Sequence, residues 1–134
     1  MADSLLIVLE GTDGVGKTTV ATALVDYINK NKHKAAYLKQ PSDGKFGRLA
    51  LDSFNNKHRL SKESELACVW LDRLDQQKEI EKKLNTGCYV VLDRYYYSSY
   101  VYQNMDYDEW KLLSNNFIQP DFIFLLYASI DVIQ

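Results

Sequence analysis

The fold of this chain is decided by LLIVLEGTDGVGKTTVA, residues 5–21. Residues 5–9 form an unbroken apolar run, which is typical of a strand buried on both faces of a sheet. The motif G-x-x-x-x-G-K-[ST] follows, carried by Gly11, Gly16, Lys17 and Thr18. Helical spacing of apolar residues then predicts a helix over residues 17–30. A strand before the motif and a helix after it are the context that a phosphate-binding loop requires.

Glycine is needed in this loop because side chains would hold the backbone away from a polyphosphate and would penalise positive φ angles. Without them, successive N–H groups can turn inward and form an anion site at the start of a helix. Lys17 can reach the β- and γ-phosphates, and the hydroxyl of Thr18 can ligate Mg²⁺. The residues predicted to bind the phosphates of ATP are Gly11, Gly14, Gly16, Lys17, Thr18 and Thr19.

Further strands are predicted along the rest of the chain. Strands are expected at residues 35–39 and 88–92, and a fourth, buried strand is expected at residues 122–127. Helices are predicted at residues 46–54, from the N-cap Ser61 to the stop at Gly87, in the tyrosine-rich segment with Arg94, after the capping box of Asp106 and Glu109, and after the cap Ser129. This alternation predicts an α/β fold, a three-layer P-loop NTPase-type parallel sheet with helices on both faces, in a single domain over residues 1–134.

Composition and charge argue against several classes of function. The net charge is −2, from 16 basic and 18 acidic residues, so electrostatics gives no reason to expect nucleic acid as a partner. We find no apolar run near the amino terminus long enough to span a membrane and no secretory signal. Cys68 and Cys88 are expected to be buried, reduced thiols, and the protein is expected in the cytoplasm.

A metal-organising carboxylate is predicted at Asp93. It comes directly after the apolar run 88–92, at the carboxyl end of a strand, where ligands of open α/β sheets gather. Together with Thr18 it forms the candidate site for Mg²⁺, the metal that accompanies ATP in phosphoryl transfer. The alternative is that Asp93 only caps the next helix.

A second phosphorylated ligand is indicated by DRYYYSSYVYQ, residues 93–103. Arg94 can grip a phosphate through two parallel hydrogen bonds, Ser98 and Ser99 can hydrogen-bond the edge of a base, and Tyr102 can wall off a sugar. A site built this way would select a nucleoside monophosphate as acceptor. The alternative is an amphipathic helix whose tyrosines pack in the core.

In these features the sequence resembles the thymidylate kinases, P-loop enzymes that pass a phosphoryl group from ATP to dTMP. The matching pieces occur in the family's order: VLEGTDGVGKTT (8–19), QPSDG (40–44), LDR (71–73), DRYYYSSYVYQ (93–103) and QPDFIFLL (119–126). The P-loop alone is generic, whereas its combination with the later segments is specific. The resemblance implies ATP with Mg²⁺ as the donor, dTMP as the acceptor, and a homodimer.

The resemblance also implies roles for single residues. Lys17, Asp13 and Arg94 would be catalytic: Asp13 would contact the 3′-hydroxyl and help to organise Mg²⁺, and Arg94 would hold the acceptor phosphate. Arg73 would bind the thymine edge, and Tyr102 would favour deoxyribose by crowding C2′. The full set expected to bind dTMP is Asp13, Lys39, Pro41, Arg73, Arg94, Ser98, Ser99, Tyr102 and Gln103. The alternatives are an exposed surface arginine at position 73 and a simple turn former at position 13.

The sequence departs from the family pattern in three places. Lys39 and Gln40 stand where the family has arginine and glutamate, and Val69 stands where an aromatic residue usually stacks on thymine. The chain also ends before the family's lid segment and fifth strand, so a C-terminally incomplete domain with an open edge at strand 4 is expected. Some members carry a catalytic arginine at the position of Gly14, and members like this chain take it from the lid. We therefore expect nucleotide sites with inefficient transfer.

Two other functions stay open at this point. A deoxynucleoside kinase would need a carboxylate after the second strand to take the proton of the 5′-hydroxyl, and Gln40 occupies that region. A non-catalytic nucleotide-binding protein would keep the phosphate loop without turnover.

Overall fold

The computed structural model describes residues 4–128, in which strands and helices alternate. The strands are β1 (Leu6–Glu10), β2 (Lys34–Lys39), β3 (Cys88–Asp93) and β4 (Phe122–Leu125). The helices are α1 (Lys17–Lys30), α2 (Lys45–Phe54), α3 (Lys62–Asn85), α4 (Tyr97–Tyr102) and α5 (Tyr107–Ser114). The predicted helix cap Ser129 lies outside the described residues.

The four strands form one parallel sheet in the order β2-β3-β1-β4. Their register places Leu9 of β1 opposite Asp93 of β3, and Asp93 opposite Lys39 of β2. These three strands therefore end at one level, and the segments that follow them meet at the same edge of the sheet. This is the edge at which open parallel sheets bind their ligands.

Helices cover both faces of the sheet, which confirms the predicted three-layer α/β fold. Leu6 and Val8 of β1 pack in a cluster with residues of α3, whereas Ile7 and Leu9 pack in a second cluster with residues of α1. Alternate side chains of a strand point to opposite faces, so both faces of β1 are covered and all five of its residues are buried. Because both faces of β1 are covered, successive side chains are all apolar, which explains the unbroken apolar run in the sequence.

The predicted helix ends agree with the structure. The side chain of Ser61 accepts a hydrogen bond from the backbone N–H of Ser64 at 3.1 Å, and Asp106 accepts one from the N–H of Glu109 at 3.2 Å. Gly87 follows α3 with φ +82°, a conformation that glycine adopts without penalty. Side-chain caps and a terminal glycine thus fix where α3 and α5 begin and where α3 ends.

The edge strand β4 differs from its prediction. It pairs with β1 as an outer strand, but Phe122, Ile123, Phe124 and Leu125 are exposed and not buried. The apolar run correctly indicated a strand. Burial requires further cover on its faces, which residues 4–128 do not supply.

Two smaller predictions need correction. Arg94 does not belong to a helix, because it has φ +72° and α4 begins only at Tyr97. Cys68 and Cys88 are free thiols, but they are half-buried and not buried.

The tyrosines between residues 93 and 103 differ in burial. Tyr95 and Tyr96 are almost completely buried, which follows the core-packing alternative, whereas Tyr100 is 47% exposed and does not.

No helix within residues 4–128 has the length and apolar character needed to cross a lipid bilayer.

Candidate functional site

A cavity of about 790 Å³ opens at the carboxyl edge of the sheet. Its walls come from the loops after β1, β2 and β3 and from helices α2, α3 and α4. The predicted site residues that line it are Asp13, Gly14, Gly16, Lys17, Thr18, Thr19, Lys39, Pro41, Arg73, Asp93, Arg94, Ser98, Tyr102 and Gln103. Two predicted residues, Gly11 and Ser99, do not line it. We call the part formed by residues 13–19 and Asp93 the loop end, and the part formed by Arg73, Arg94 and their partners the arginine end.

The glycine-rich loop has the backbone conformation that its sequence requires. Gly14 and Gly16 have φ angles of +81° and +96°, in the region that favours glycine. A Cβ built at Gly16 would meet nothing within 4 Å, so the backbone conformation and not a lack of space requires glycine there. Gly16 is also the N-cap of α1 and no side chain caps this helix. Its first N–H groups are therefore available for an anion.

Gly11 serves the packing of the loop. It does not line the cavity, and a Cβ built on it would lie 2.5 Å from the carbonyl oxygen of Leu126. A side chain at this position would separate the start of the loop from the chain that leaves β4. Glycine at position 11 thus allows a close backbone approach, and the anion site itself begins further along the loop.

Lys17 is buried, and its ammonium group points back into the loop. Its Nζ donates a hydrogen bond to the carbonyl oxygen of Thr12 at 2.8 Å, although it belongs to the first turn of α1. Burial lowers the pKa of Lys17, and the nearby guanidinium of Arg94 lowers it further. Both causes disfavour an uncompensated positive charge, so a bound polyphosphate would relieve them.

The carboxylate of Asp93 accepts two hydroxyl hydrogen bonds on one oxygen. The Oγ1 of Thr18 donates to Oδ2 at 2.9 Å, and the hydroxyl of Tyr37 donates to the same atom at 2.8 Å. Burial and this bond to Asp93 raise the pKa of Tyr37 to about 12. Tyr37 was not predicted from the sequence. Two residues before Lys39 on β2, it lies on the same face of the strand as that predicted site residue, and this spacing could have identified it.

The oxygen atoms at the loop end suit a hard cation. Thr18 and Asp93 offer a hydroxyl and a carboxylate, the donors that Mg²⁺ prefers, and they already lie within hydrogen-bond distance of each other. Within residues 4–128 there is no group of three or more His, Cys, Asp or Glu side chains that could hold a metal ion. A magnesium ion held by Thr18 and Asp93 would complete its shell with water molecules and with phosphate oxygens of a bound nucleotide.

Arg94 belongs to the arginine end and contacts the loop end through Asp13. Its Nη2 donates to Oδ1 of Asp13 at 2.6 Å, and its Nη1 donates to Oγ of Ser98 at 3.2 Å. The ring of Tyr102 lies 5.1 Å from its guanidinium carbon, within the range of a cation–π contact. Asp13 is fully exposed, so this ion pair can open to admit an anion.

Arg73 is held deep in the arginine end. It is 3% exposed, so its alternative as an ordinary surface arginine is wrong. Its Nε donates to Oε1 of Gln40 at 3.0 Å, its Nη1 donates to Oγ of Ser99 at 2.6 Å, and the guanidinium lies over the ring of Trp70. Burial lowers its pKa to about 10, so the group is still charged at neutral pH.

The two serines of α4 have different surroundings. Ser99 is completely buried, accepts from Arg73 and donates to Oε1 of Gln103, so it orients those side chains from behind the cavity wall. Ser98 lines the cavity and donates to Oε1 of Glu10 at 2.8 Å. Glu10, which the sequence analysis missed, also accepts the backbone N–H of Tyr95. Burial raises the pKa of Glu10, and these hydrogen bonds oppose that effect.

The loop after β2 forms another side of the cavity. Lys39 pairs with Asp43 at 3.4 Å, and Pro41 lines the cavity next to it. Asp72 of α3 accepts hydrogen bonds from both the N–H and the hydroxyl of Ser42, at 2.7 and 2.6 Å. The carboxylate of Asp72 thus fixes this loop against the helix that carries Arg73.

The last turn of α2 contributes a wall that the sequence analysis did not assign. Leu51, Phe54 and Asn55 line the cavity. Their i, i+3, i+4 spacing puts them on one face of the helix, which is the signal that could have found them. Helix α3, which packs against α2, contributes Val69 and Arg73 to the same cavity.

Both ends of the cavity carry positive charge. Lys17 lies at the loop end, the guanidinium groups of Arg73 and Arg94 lie at the arginine end, and Lys39 lines the cavity as well. Such an arrangement can hold two phosphorylated ligands in one cavity, with Asp13 and Asp93 as the acidic groups at the loop end.

Comparisons with known proteins point to one family. The sequence model of the family described as thymidylate kinase matches residues 9–133. A "Probable thymidylate kinase" of Archaeoglobus fulgidus is 41% identical over 101 residues, which cover 75% of this chain and 50% of that protein. A "Thymidylate kinase" of Brachyspira hyodysenteriae is 36% identical over 131 residues, which cover 94% of this chain and 64% of that protein. This chain thus spans about half to two thirds of the length of these relatives.

Solved structures show the same fold. Thymidylate kinase from Ehrlichia chaffeensis superposes with a TM-score of 0.79 at 25% identity, covering 92% of this chain and 71% of that one. Thymidylate kinase from Candida albicans superposes with a TM-score of 0.78 at 22% identity, covering 97% of this chain and 65% of that one. Because the family match covers nearly all of the sequence, this chain belongs to the thymidylate kinase family.

Proposed function

We propose that the protein transfers the γ-phosphoryl group of ATP, with Mg²⁺, to dTMP and so forms dTDP and ADP. The observation that carries this proposal is that one cavity is lined both by the glycine-rich loop with Lys17 and by two arginines, Arg73 and Arg94. A site for ATP alone would have no use for these two further positive charges. The relatives named above are thymidylate kinases, but this chain spans only part of their length.

The loop end would hold the donor. The uncapped N–H groups at the start of α1 would bind the β-phosphate region, with Gly14, Gly16 and Thr19 lining the approach. Lys17 would exchange its hydrogen bond to Thr12 for the phosphates. The first step of binding would therefore open a contact that the loop now makes with itself.

Magnesium would be held by Thr18 and Asp93 together with phosphate oxygens. When bound, it supplies charge neutralisation at the phosphates. The hydrogen bonds from Thr18 and Tyr37 hold the Asp93 carboxylate in one orientation. These hydroxyl groups would therefore position the acidic group before any ligand arrives.

The arginine end would hold the acceptor. Arg94 would release Asp13 and grip the 5′-phosphate of dTMP, which frees the Asp13 carboxylate for the 3′-hydroxyl. Arg73, held on two sides by Gln40 and Ser99, would present its remaining edge to the base. Lys39, Pro41, Ser98, Tyr102 and Gln103 would complete the walls around the sugar and the base. Catalysis would come mainly from this positioning and from the charges of Lys17 and Arg94.

We propose slow transfer for residues 1–134 taken alone, as one nucleoside monophosphate kinase domain. An arginine at the transferring phosphate is worth about 10³–10⁵ in rate in phosphoryl transfer. The arginines that line the described cavity are Arg73 and Arg94, and both are assigned to the acceptor. Two further proposals, a homodimer and a cytoplasmic location, rest on the family likeness and on composition.

Calorimetric titration with ATP and with dTMP, beside a coupled assay for ADP, tests the proposal. We expect both nucleotides to bind, and we expect dTMP, but not thymidine, to support ADP formation. Turnover with thymidine instead would favour a deoxynucleoside kinase. Binding of ATP with no affinity for any nucleoside monophosphate would overturn the assignment of the arginine end.

A further inference from the structure

We propose that Phe54 of α2 supplies the aromatic surface on which the acceptor base stacks, with Val69 of α3 on the other side of the base. This inference rests on the function proposed above. It concerns the wall of the cavity that the sequence analysis left unassigned.

A base needs a flat apolar surface, and few side chains at this cavity offer one. The aromatic residues that line it within the described chain are Tyr37, Phe54 and Tyr102. The hydroxyl of Tyr37 is bound to Asp93 at the loop end, and the ring of Tyr102 lies against the guanidinium of Arg94. Both rings therefore belong to the phosphate-binding parts of the cavity.

Trp70 is next to Val69 in the sequence but cannot take this role. It is 7% exposed, its ring lies 5.4 Å from that of Phe117, and it belongs to the core cluster below the sheet's edge. The guanidinium of Arg73 lies over the ring of Trp70, which leaves that face occupied. Trp70 does not line the cavity.

Phe54 has the opposite properties. It lines the cavity, it is 41% exposed, and within residues 4–128 its ring pairs with no other aromatic ring. An apolar ring of this size that is left open in a cavity gains contact area when a ligand covers it. Phe54 is thus the ring in this wall that a planar ligand could cover.

The position of Phe54 is fixed by its neighbours. Ser53 is fully buried, donates a hydrogen bond to Glu65 of α3 and accepts one from the N–H of Leu60. Arg59 donates to the carbonyl oxygen of Ser53 at 3.2 Å. These bonds tie the last turn of α2 to α3, so the Phe54 ring is held on a rigid element.

The second side chain of the proposed base site comes from α3. Val69 and Arg73 are four residues apart and lie on one face of that helix. Val69 is 4% exposed and lines the cavity, so it offers an aliphatic surface one turn away from the guanidinium. A pyrimidine whose polar edge meets Arg73 would then lie between a valine and a phenylalanine.

Two ligands separate base stacking from phosphate binding in the test. One is dTMP, and the other is 2-deoxyribose 5-phosphate, which keeps the sugar and the phosphate but lacks the base. Affinities are measured by NMR titration of the whole chain, for the wild type and for Phe54→Ala, Phe54→Leu and the control Phe46→Leu. Phe46 lies on the same helix but does not line the cavity.

We expect Phe54→Ala to lower the affinity for dTMP by roughly 5- to 150-fold, which is the range for losing one base–aromatic stack. The affinity for 2-deoxyribose 5-phosphate should not change, and Phe46→Leu should leave both ligands unaffected. In the wild type the methyl and H6 protons of bound thymine should shift upfield under the ring current. Phe54→Leu, which keeps an apolar side chain, should abolish that shift.

Unchanged dTMP affinity in both Phe54 variants, or base protons without an upfield shift in the wild type, would overturn the stacking role alone. A wild type that binds neither ligand would overturn the proposed function together with it. Parallel losses for the two ligands would mean that Phe54 acts on the whole cavity and not on the base.

Discussion

The loop end and the arginine end of the cavity are built in different ways. The loop end is almost one continuous stretch, residues 13–19, and its main device is backbone conformation at Gly14 and Gly16. The arginine end is formed by side chains from several elements, and a network of side-chain hydrogen bonds around Arg73 holds it in place. A local motif can therefore specify the first end, whereas only the folded sheet assembles the second.

This difference has a consequence for mutation. At the loop end the Lys17 side chain makes one hydrogen bond, to the loop that carries it, so its removal should affect the proposed donor ligand only. At the arginine end Arg73 and Arg94 each hydrogen-bond side chains of other segments, so a change there should lower stability as well. The predictions below test whether the two ends are as separate as their construction suggests.

The largest effect is expected for Lys17→Ala. Loss of this buried ammonium removes the charge aimed at the β- and γ-phosphates, and truncating one partner of a buried charge pair costs about 2–5 kcal/mol of binding free energy. ATP affinity measured by calorimetry should fall accordingly, while dTMP affinity should stay near that of the wild type. Lys30→Ala, in the exposed last turn of the same helix, is the control and should bind ATP normally. An unchanged ATP affinity in Lys17→Ala would contradict the role of the loop end.

Arg94→Ala should give the reverse pattern with a smaller loss. The guanidinium would have to give up its ion pair with Asp13 before it binds a phosphate, so the net loss should be near that of a single charged hydrogen bond, roughly 1.5–3 kcal/mol. We expect weaker dTMP binding and unchanged ATP binding in the same titrations. Arg94→Lys should recover only part of the loss because lysine cannot make the two-pronged contact.

An exposed arginine of α2, changed in Arg48→Ala, controls for a general loss of positive charge. If Arg94→Ala lowered the affinities for ATP and dTMP equally, the assignment of the two ligands to separate ends of the cavity would be wrong.

The smallest effect is expected on the pH dependence of stability, through the titration of Glu10. Burial raises the folded-state pKa of Glu10 above its usual 4.5, so the folded protein binds more protons than the unfolded chain between these two values. The free energy of unfolding should therefore fall as the pH rises through that interval. In Glu10→Gln this decrease of the free energy of unfolding with pH should disappear.

Urea unfolding of the wild type and of Glu10→Gln at a series of pH values measures how the free energy of unfolding depends on pH. The series starts at about pH 4 because it must begin below the usual carboxyl pKa. Identical slopes in the wild type and Glu10→Gln would show that Glu10 does not titrate differently on folding.

The fold could be predicted largely from the sequence because its signals are local. The apolar run of β1, the caps Ser61 and Asp106 and the stop at Gly87 each act within a few residues. The exposed faces of β4 could not be predicted in this way, since burial depends on what packs against a strand. An apolar run indicates only that cover is preferred.

The candidate site was predictable to the extent that its residues form motifs. Lys17 and Arg94 belong to segments whose residue types already suggest phosphate binding. Tyr37, Glu10 and Phe54 carry no such signal, because their contacts depend on strand order and on the packing of α2 against α3. Sequence spacing can place a residue on a face, but it does not say which face meets a cavity.

One backbone feature bears on how this site can change. Arg94 has φ +72°, and a residue with a Cβ in this region carries about 1–2 kcal/mol of conformational strain. Glycine at position 94 would release that strain, but it would also remove the hydrogen bonds to Asp13 and Ser98 and the contact with Tyr102. The chain thus keeps an arginine at a position where the backbone conformation alone would favour glycine. The strained backbone after β3 is the cost of holding a guanidinium at the edge of the sheet.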